Sequence, residues 1–194
     1  MKSIILASKS EVRKKILDEN KIKCTVEPSN LDEAEVKKSL LNQGATPELI
    51  SKNLAELKAN KVSQKKLGKI VLGADSVIDF NGKLISKPIN REEAMNILNL
   101  LNGKTHHLIS SVCISLDGKM IWNYTEKAEM KMKNFTKKEL EVYLGKITDK
   151  DLYSYNVYQI EGEGKNLFSD IKGEVNTIMG LPIKSIKQYL DNIK

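Results

Sequence analysis

Arginine, aromatic residues, cysteine and long apolar runs are all scarce in this chain of 194 residues. Of its 32 basic residues only Arg13 and Arg91 are arginines, and the rest are lysines scattered among acids. Nucleic-acid readers concentrate arginine with aromatics on one face, whereas aromatics here are 5% of the chain and no long block of like charge occurs. The net charge of +7 therefore reads as solvated surface that steers anionic small substrates inward, and no nucleic-acid partner is expected. Cys24 and Cys113 match no zinc spacing and are too few to staple a chain this long, so both are expected as free, buried thiols. No apolar stretch approaches the roughly 20 residues that span a bilayer, and the run over residues 4–7 is too short for the core of a signal peptide. A cytoplasmic protein without membrane contact is expected. What is present, 40% hydrophobic and 29% charged residues with 4 prolines and 11 glycines, is the composition of one ordinary globular domain over residues 1–194.

The pattern along the chain alternates strand and helix. The apolar run at 4–7 feeds a helix beginning at Glu11, with Val12, Ile16 and Leu17 at helical spacing. An extended piece around residues 24–27 follows, and residues 30–44 read as acidic and irregular. Thr46 and Pro47 open a long amphipathic helix, hydroxyl cap before first-turn proline. Residues 70–80 form a strand that turns at Asn81-Gly82, and Thr105–Leu116 pairs with Lys119–Met132 about Asp117-Gly118. Asn90 caps a helix between the two hairpins. Thr136 and Glu139 form a capping box for another helix, and a last helix follows Pro182. Hairpins exclude a purely parallel sheet, so the expected fold is α/β with a mixed, twisted sheet and flanking helices.

Four places offer chemistry. The corner around Ser8, Lys9, Ser10 and Arg13, where a strand meets a helix start, presents free amides and cationic donors suited to phosphate, although a merely capped helix has the same appearance. Asp75 interrupts an apolar strand, so it is paired, coordinates a cation, or lies where the strand is exposed in a cleft. Gly73 and Ala74 leave room for close approach to its backbone. Asp32, Glu33, Lys58 and Lys87 supply acids for a divalent metal and lysines for a polyphosphate, though each alone reads as surface. The fourth, residues 159–164 with a glycine-containing turn, is a ligand loop or an ordinary one. Of the adjacent His106 and His107, strand alternation turns one inward, as a core histidine. No nucleophile motif, Walker loop or dinucleotide fingerprint is present.

In order, the motifs Leu6-Ala7-Ser8-x-Ser10-x-x-Arg13, Asp32-Glu33, Leu54-Ala55-x-x-Lys58-Ala59, Gly73-Ala74-Asp75-Ser76-Val77, Lys87-Pro88, Gly103-x-x-His106 and Asn176-x-x-x-Gly180-Leu181-Pro182 resemble the Maf family of nucleoside triphosphate pyrophosphatases. The likeness spans nearly the whole chain. It implies an ITPase-like fold of two lobes around a cleft, frequently homodimeric. It also implies hydrolysis of a nucleoside triphosphate to monophosphate and pyrophosphate with a divalent cation, Mg²⁺ or Mn²⁺. Carried over position by position, Asp75 is the general base, Glu33 with Asp75 holds the metal or water, and Ser8, Arg13, Lys58 and Lys87 surround the triphosphate. Glu11-Val12 stands where the family usually has a proline and a longer side chain. Glu161 stands where the branch acting on dTTP and UTP has glutamine, as in the branch resembling 7-methyl-GTP pyrophosphatase, and it suits a modified purine. Tyr153-Ser154-Tyr155-Asn156 replaces a stretch usually rich in small residues, reshaping the base pocket. A non-catalytic nucleotide-binding regulator, related to cell division, is the alternative reading.

Overall fold

A computed structural model describes residues 3–193 apart from the Tyr155 side chain. Residues 1, 2 and 194, the ends of the expected domain, lie outside it. Strands β1 (Ile4–Leu6), β2 (Cys24–Val26) and β3 (Val71–Phe80) are parallel, with β1 between the other two. Helix α1 (Glu11–Glu19) links β1 to β2. Helices α2 (Glu33–Asn42) and α3 (Pro47–Ser63) carry the chain back across β1 to β3. The winding thus reverses at the C-terminal end of β1, and such a reversal leaves a crevice outside the strand ends where ligands bind.

The rest of the sheet is antiparallel. β4 (Lys83–Ile85) returns along β3, and β5 (Thr105–Leu116), β6 (Lys119–Met132) and β7 (Phe168–Lys172) extend it in the order β2-β1-β3-β5-β6-β7. Both expected hairpins form, with left-handed pairs at Asn81 and Gly82 (φ 53° and 78°) and at Asp117 and Gly118 (φ 50° and 80°). That backbone matches the right-handed twist of paired strands. Helices α4 (Arg91–Leu101), α5 (Lys137–Gly145), α6 (Asp149–Tyr155), α7 (Val175–Ile178) and α8 (Ile183–Asn192) flank the sheet, matching the mixed α/β expectation.

One local reading is corrected. Residues 30–44 are not irregular: Asp32 caps α2, its carboxylate accepting from Glu35 N at 3.0 Å, and Glu33 and Glu35 complement the helix start. The apolar face of α2 is too thin to be read as periodic, for none of its residues is buried. Helix α6 and strand β7 carry no strong sequence signal either. The close approach expected at Gly73 is present. A Cβ there would lie 2.2 Å from the Ala55 carbonyl and 2.7 Å from Ala59 N, so the group that approaches its backbone is α3.

Two large apolar clusters share one face of the sheet. One gathers Ile4, Ile16, Leu72, Ala74, Ile114 and Ile186 beneath α1 and α8; the other gathers Ile78, Leu98, Leu108, Met130, Leu140 and Phe168 beneath α4 to α6. Strands β3 and β5 run through both, so the lobes meet at the middle of these strands. The opposite face of β3 receives α3 through the buried residues Ser51, Leu54, Ala55, Lys58, Ala59 and Val62, which recur at helical spacing.

Candidate active site

The pairing of β3 places an opening beside Asp75. β1 pairs with β3 only at Val71 and Leu72, and β4 joins the same edge only from Ile78 onward. Residues 73–77 of that edge therefore face no strand, the exposed stretch that the sequence allows for Asp75. A cleft of about 760 Å³ lies over it, lined by Ser8, Arg13, Glu33, Lys58, Asp75 and Lys87 among others. Glu161 lines it as well, so the cleft brings together all seven site residues expected from the sequence.

Asp75 is only 4% exposed, and Lys58 only 6%. Lys58 reaches Asp75 because it occupies the buried stripe of α3, one turn beyond Leu54 and Ala55. Its Nζ donates to Asp75 Oδ1 at 2.8 Å and lies 2.9 Å from Glu33 Oε1. Asp75 Oδ2 is buried and has no hydrogen-bond partner among the described residues. Desolvation works against ionisation of Glu33, but Lys58, Lys37 and Lys87 outweigh it and hold this carboxyl below the usual range. The helix start at Asp32 adds a favourable dipole for an acid in the first turn.

Arg13 is held from several sides. Its Nε donates to Gly180 O at 2.9 Å, Nη1 to Ala74 O at 3.0 Å and Ser8 Oγ at 3.2 Å, and Nη2 to Ser76 Oγ at 3.1 Å. Burial lowers its pKa, opposed by Asp75 and Glu33. Ser8 Oγ also accepts from Ser10 N at 3.2 Å, and Ser10 caps α1, so the expected anion corner is built around Arg13. Lys87 has its pKa lowered by desolvation and by Lys37 and Arg13, against the pull of Glu33 and Asp75. Its Nζ donates to Ser154 O at 2.6 Å, tying the segment after β4 to α6 across the cleft.

The far side of the cleft holds the residues expected from the sequence to meet the base. Glu161 is exposed, its Oε1 accepting from Gln159 Nε2 at 3.1 Å. Tyr153, Ser154 and Asn156 line the cleft with it, while the Tyr155 side chain lies outside the described residues. Val12 packs against the apolar cluster under α1 as well as lining the cleft, so the aliphatic replacement serves the core. His106 is the inward histidine, 1% exposed, its Nε2 2.8 Å from Tyr158 Oη; burial and then repulsion from His107 push its pKa down to about 4. Cys113 is buried but Cys24 only half-buried; both are free. Sequence reasoning missed Lys37, whose place at the cleft depends on α2.

Two carboxylates, Glu33 and Asp75, line the cleft and suit a hard divalent cation that takes its other oxygens from phosphate and water. Among the described residues no group of three or more His, Cys, Asp or Glu side chains is placed to hold a metal alone. Among them, too, no helix is long and apolar enough to cross a membrane. A cleft with a paired buried acid at its floor and cations around it is the arrangement of an α/β protein that handles phosphate esters. The chain belongs to the Maf-like protein family, whose match covers residues 3–193. Its relatives include a nucleoside triphosphate pyrophosphatase of Pelagibacter ubique, 70% identical over the whole length of both chains. Another of that name, from Roseobacter denitrificans, is 37% identical over 96% of this chain and 94% of its own. A 7-methyl-GTP pyrophosphatase of Brucella abortus is 37% identical over 93% of this chain and 90% of its own. A Coxiella burnetii HAM1 protein overlaps 68% of this chain and 73% of its own at 14% identity and a TM-score of 0.41, too partial to bear on the site.

Proposed function

We propose that this chain is a nucleoside triphosphate pyrophosphatase, breaking the bond between the α- and β-phosphates to release a monophosphate and pyrophosphate. The observation that carries the reading is Asp75 Oδ2, buried without a partner among the described residues in a cleft whose lining cations include Lys58, Arg13 and Lys87. Lys58 neutralises Oδ1, which leaves Oδ2 as the lone pair that takes the proton of an attacking water. The water oxygen bonds to phosphorus, the anhydride bond breaks, and pyrophosphate leaves with the bonding electrons. Lys87 and the remaining Arg13 donor hold phosphate oxygens, and Ser8 orients Arg13.

Glu33 and Asp75 would hold a Mg²⁺ or Mn²⁺ ion together with phosphate oxygens. Such an ion, when bound, neutralises phosphate charge and acidifies water. Glu161 reads the base, and its carboxylate favours a guanine edge or a cationic methylated purine over a pyrimidine. The relative named for 7-methyl-GTP supports that preference. The protein works as a homodimer, as the family resemblance implies, and in the cytoplasm, as expected from its sequence. The test is pyrophosphate release from dTTP, UTP, CTP, GTP and 7-methyl-GTP with Mg²⁺, Mn²⁺ or chelator. Metal-dependent release, best with a purine, supports the reading. Nucleotide binding without release from any of them favours the regulatory alternative.

A further inference from the structure

The two apolar clusters under the sheet are parted by a row of polar side chains. Strand register sets Ser76 opposite Ser110, and Ser110 opposite Glu126, so the row crosses β3, β5 and β6 at one level. Ser110 Oγ donates to the Thr177 carbonyl at 2.7 Å, and the Thr177 hydroxyl donates to Glu126 Oε2. Ser110 and Thr177 are fully buried, and neither they nor Glu126 line the cleft.

Hydroxyl chemistry fixes the direction of every bond along the serines. A serine has one proton. That of Ser110 goes to Thr177, so the 2.8 Å contact between Ser76 and Ser110 uses the Ser76 proton. Ser76 Oγ then meets Arg13 Nη2 as an acceptor. The bonds therefore run one way, from guanidinium to Ser76 to Ser110 to the Thr177 carbonyl, and aligned bonds in a low-dielectric interior reinforce each other. Gly180 completes the seat: at φ +99° a Cβ would stand 3.0 Å from Ser76 Oγ and 3.2 Å from Arg13 Nε.

We infer that Ser76, Ser110 and Thr177 are positioning residues for Arg13, and that they aim into the cleft the one N–H that has no partner among the described residues. Four of the five guanidinium hydrogens are already bonded to protein, to Gly180, Ala74, Ser8 and Ser76. The fifth, on Nη2, belongs to the nitrogen that Ser76 holds. Its direction is set by where the serine row places Ser76, which makes residues off the cleft responsible for a donor within it. The catalytic part of this inference rests on the proposed pyrophosphatase reading; the positional part does not.

The experiment compares wild type, Ser110→Ala and Ser110→Thr, the last keeping a hydroxyl, with melting curves to show that each is folded. The chain has only two arginines, so the side-chain Nε–H region of a ¹⁵N spectrum contains two signals, assigned with Arg91→Lys. In Ser110→Ala the Arg13 Nε–H should exchange with water about ten-fold faster. The rate of pyrophosphate release should fall about ten-fold in kcat, with KM moving less than about three-fold, because a donor is mis-aimed and no binding group is removed. Ser110→Thr should keep both within about two-fold of wild type. An Arg13 signal unchanged in Ser110→Ala overturns the inference, as does equal loss of activity in the alanine and threonine variants. If wild type hydrolyses no triphosphate, the functional reading fails while the Arg13 exchange still decides the positional one.

Discussion

Lys58 Nζ stands 2.8 Å from Asp75 Oδ1, both side chains almost wholly buried, while the second oxygen of the same carboxylate has no partner among the described residues. The pair divides the labour of one acid: one oxygen is held by charge and the other is left for a proton. Asp75→Asn keeps an acceptor for Lys58 but loses the base, so pyrophosphate release should drop about 10³-fold while the fold survives. Lys58→Met should behave differently. It strips a buried carboxylate of its counter-charge, which costs about 3–5 kcal/mol. Urea melts of the two variants should rank Lys58→Met clearly below Asp75→Asn; the reverse order would mean that the pair is not the support of the site.

The closeness of α3 and β3 gives a second expectation, about stability alone. Gly73→Ala would drive a methyl into the Ala55 carbonyl and the backbone of Ala59, and a helix backbone cannot step aside as a flexible side chain can. The helix must lift, and Lys58 lifts with it. Overpacking of this kind costs on the order of 1–3 kcal/mol or more. Thermal melts should show the loss, and a Gly73→Ala protein as stable as wild type would contradict the close approach.

Glu161 is a third place to test. It is exposed, and its only side-chain bond among the described residues is the one accepted from Gln159, so Glu161→Gln should leave stability within about 0.5 kcal/mol of wild type. Base preference should move instead, away from purine triphosphates and toward dTTP and UTP, by roughly ten-fold in the ratio of kcat/KM. A change in total rate with no change in preference would remove Glu161 from base recognition.

Much of this was legible from the residues. The hairpin turns, the Thr46-Pro47 helix start and the lone acid of β3 carry local signals, because turn backbone, end capping and burial of charge are short-range physics. Lys58 was legible too, as a lysine on the stripe of α3 that Leu54 and Ala55 define. The role of Gly73 was not, since the sequence shows that something must come close but not that a helix does. Nor was α2, whose exposed faces leave no apolar rhythm to read. The serine row was hidden for another reason: Ser76, Ser110 and Thr177 are far apart in sequence, and only strand register aligns them.

His106 makes a prediction about acid. Its ring is buried against Tyr158 and Phe168, with Nε2 bonded to Tyr158 Oη and Nδ1 without a partner among the described residues. Burial, with help from His107, lowers its pKa to about 4, against about 6.5 in an unfolded chain. Between those values the unfolded chain binds a proton that the folded one refuses, so stability rises with pH across that window. The contribution is complete above about pH 6.5 and disappears as pH falls through about 4, at most about 3 kcal/mol in all. Urea melts at pH 7, 6, 5 and 4 should show the decline, and His106→Gln should be less stable at pH 7 yet flatter across the series. Parallel curves for the two proteins would place the acid sensitivity elsewhere and leave His106 as packing alone.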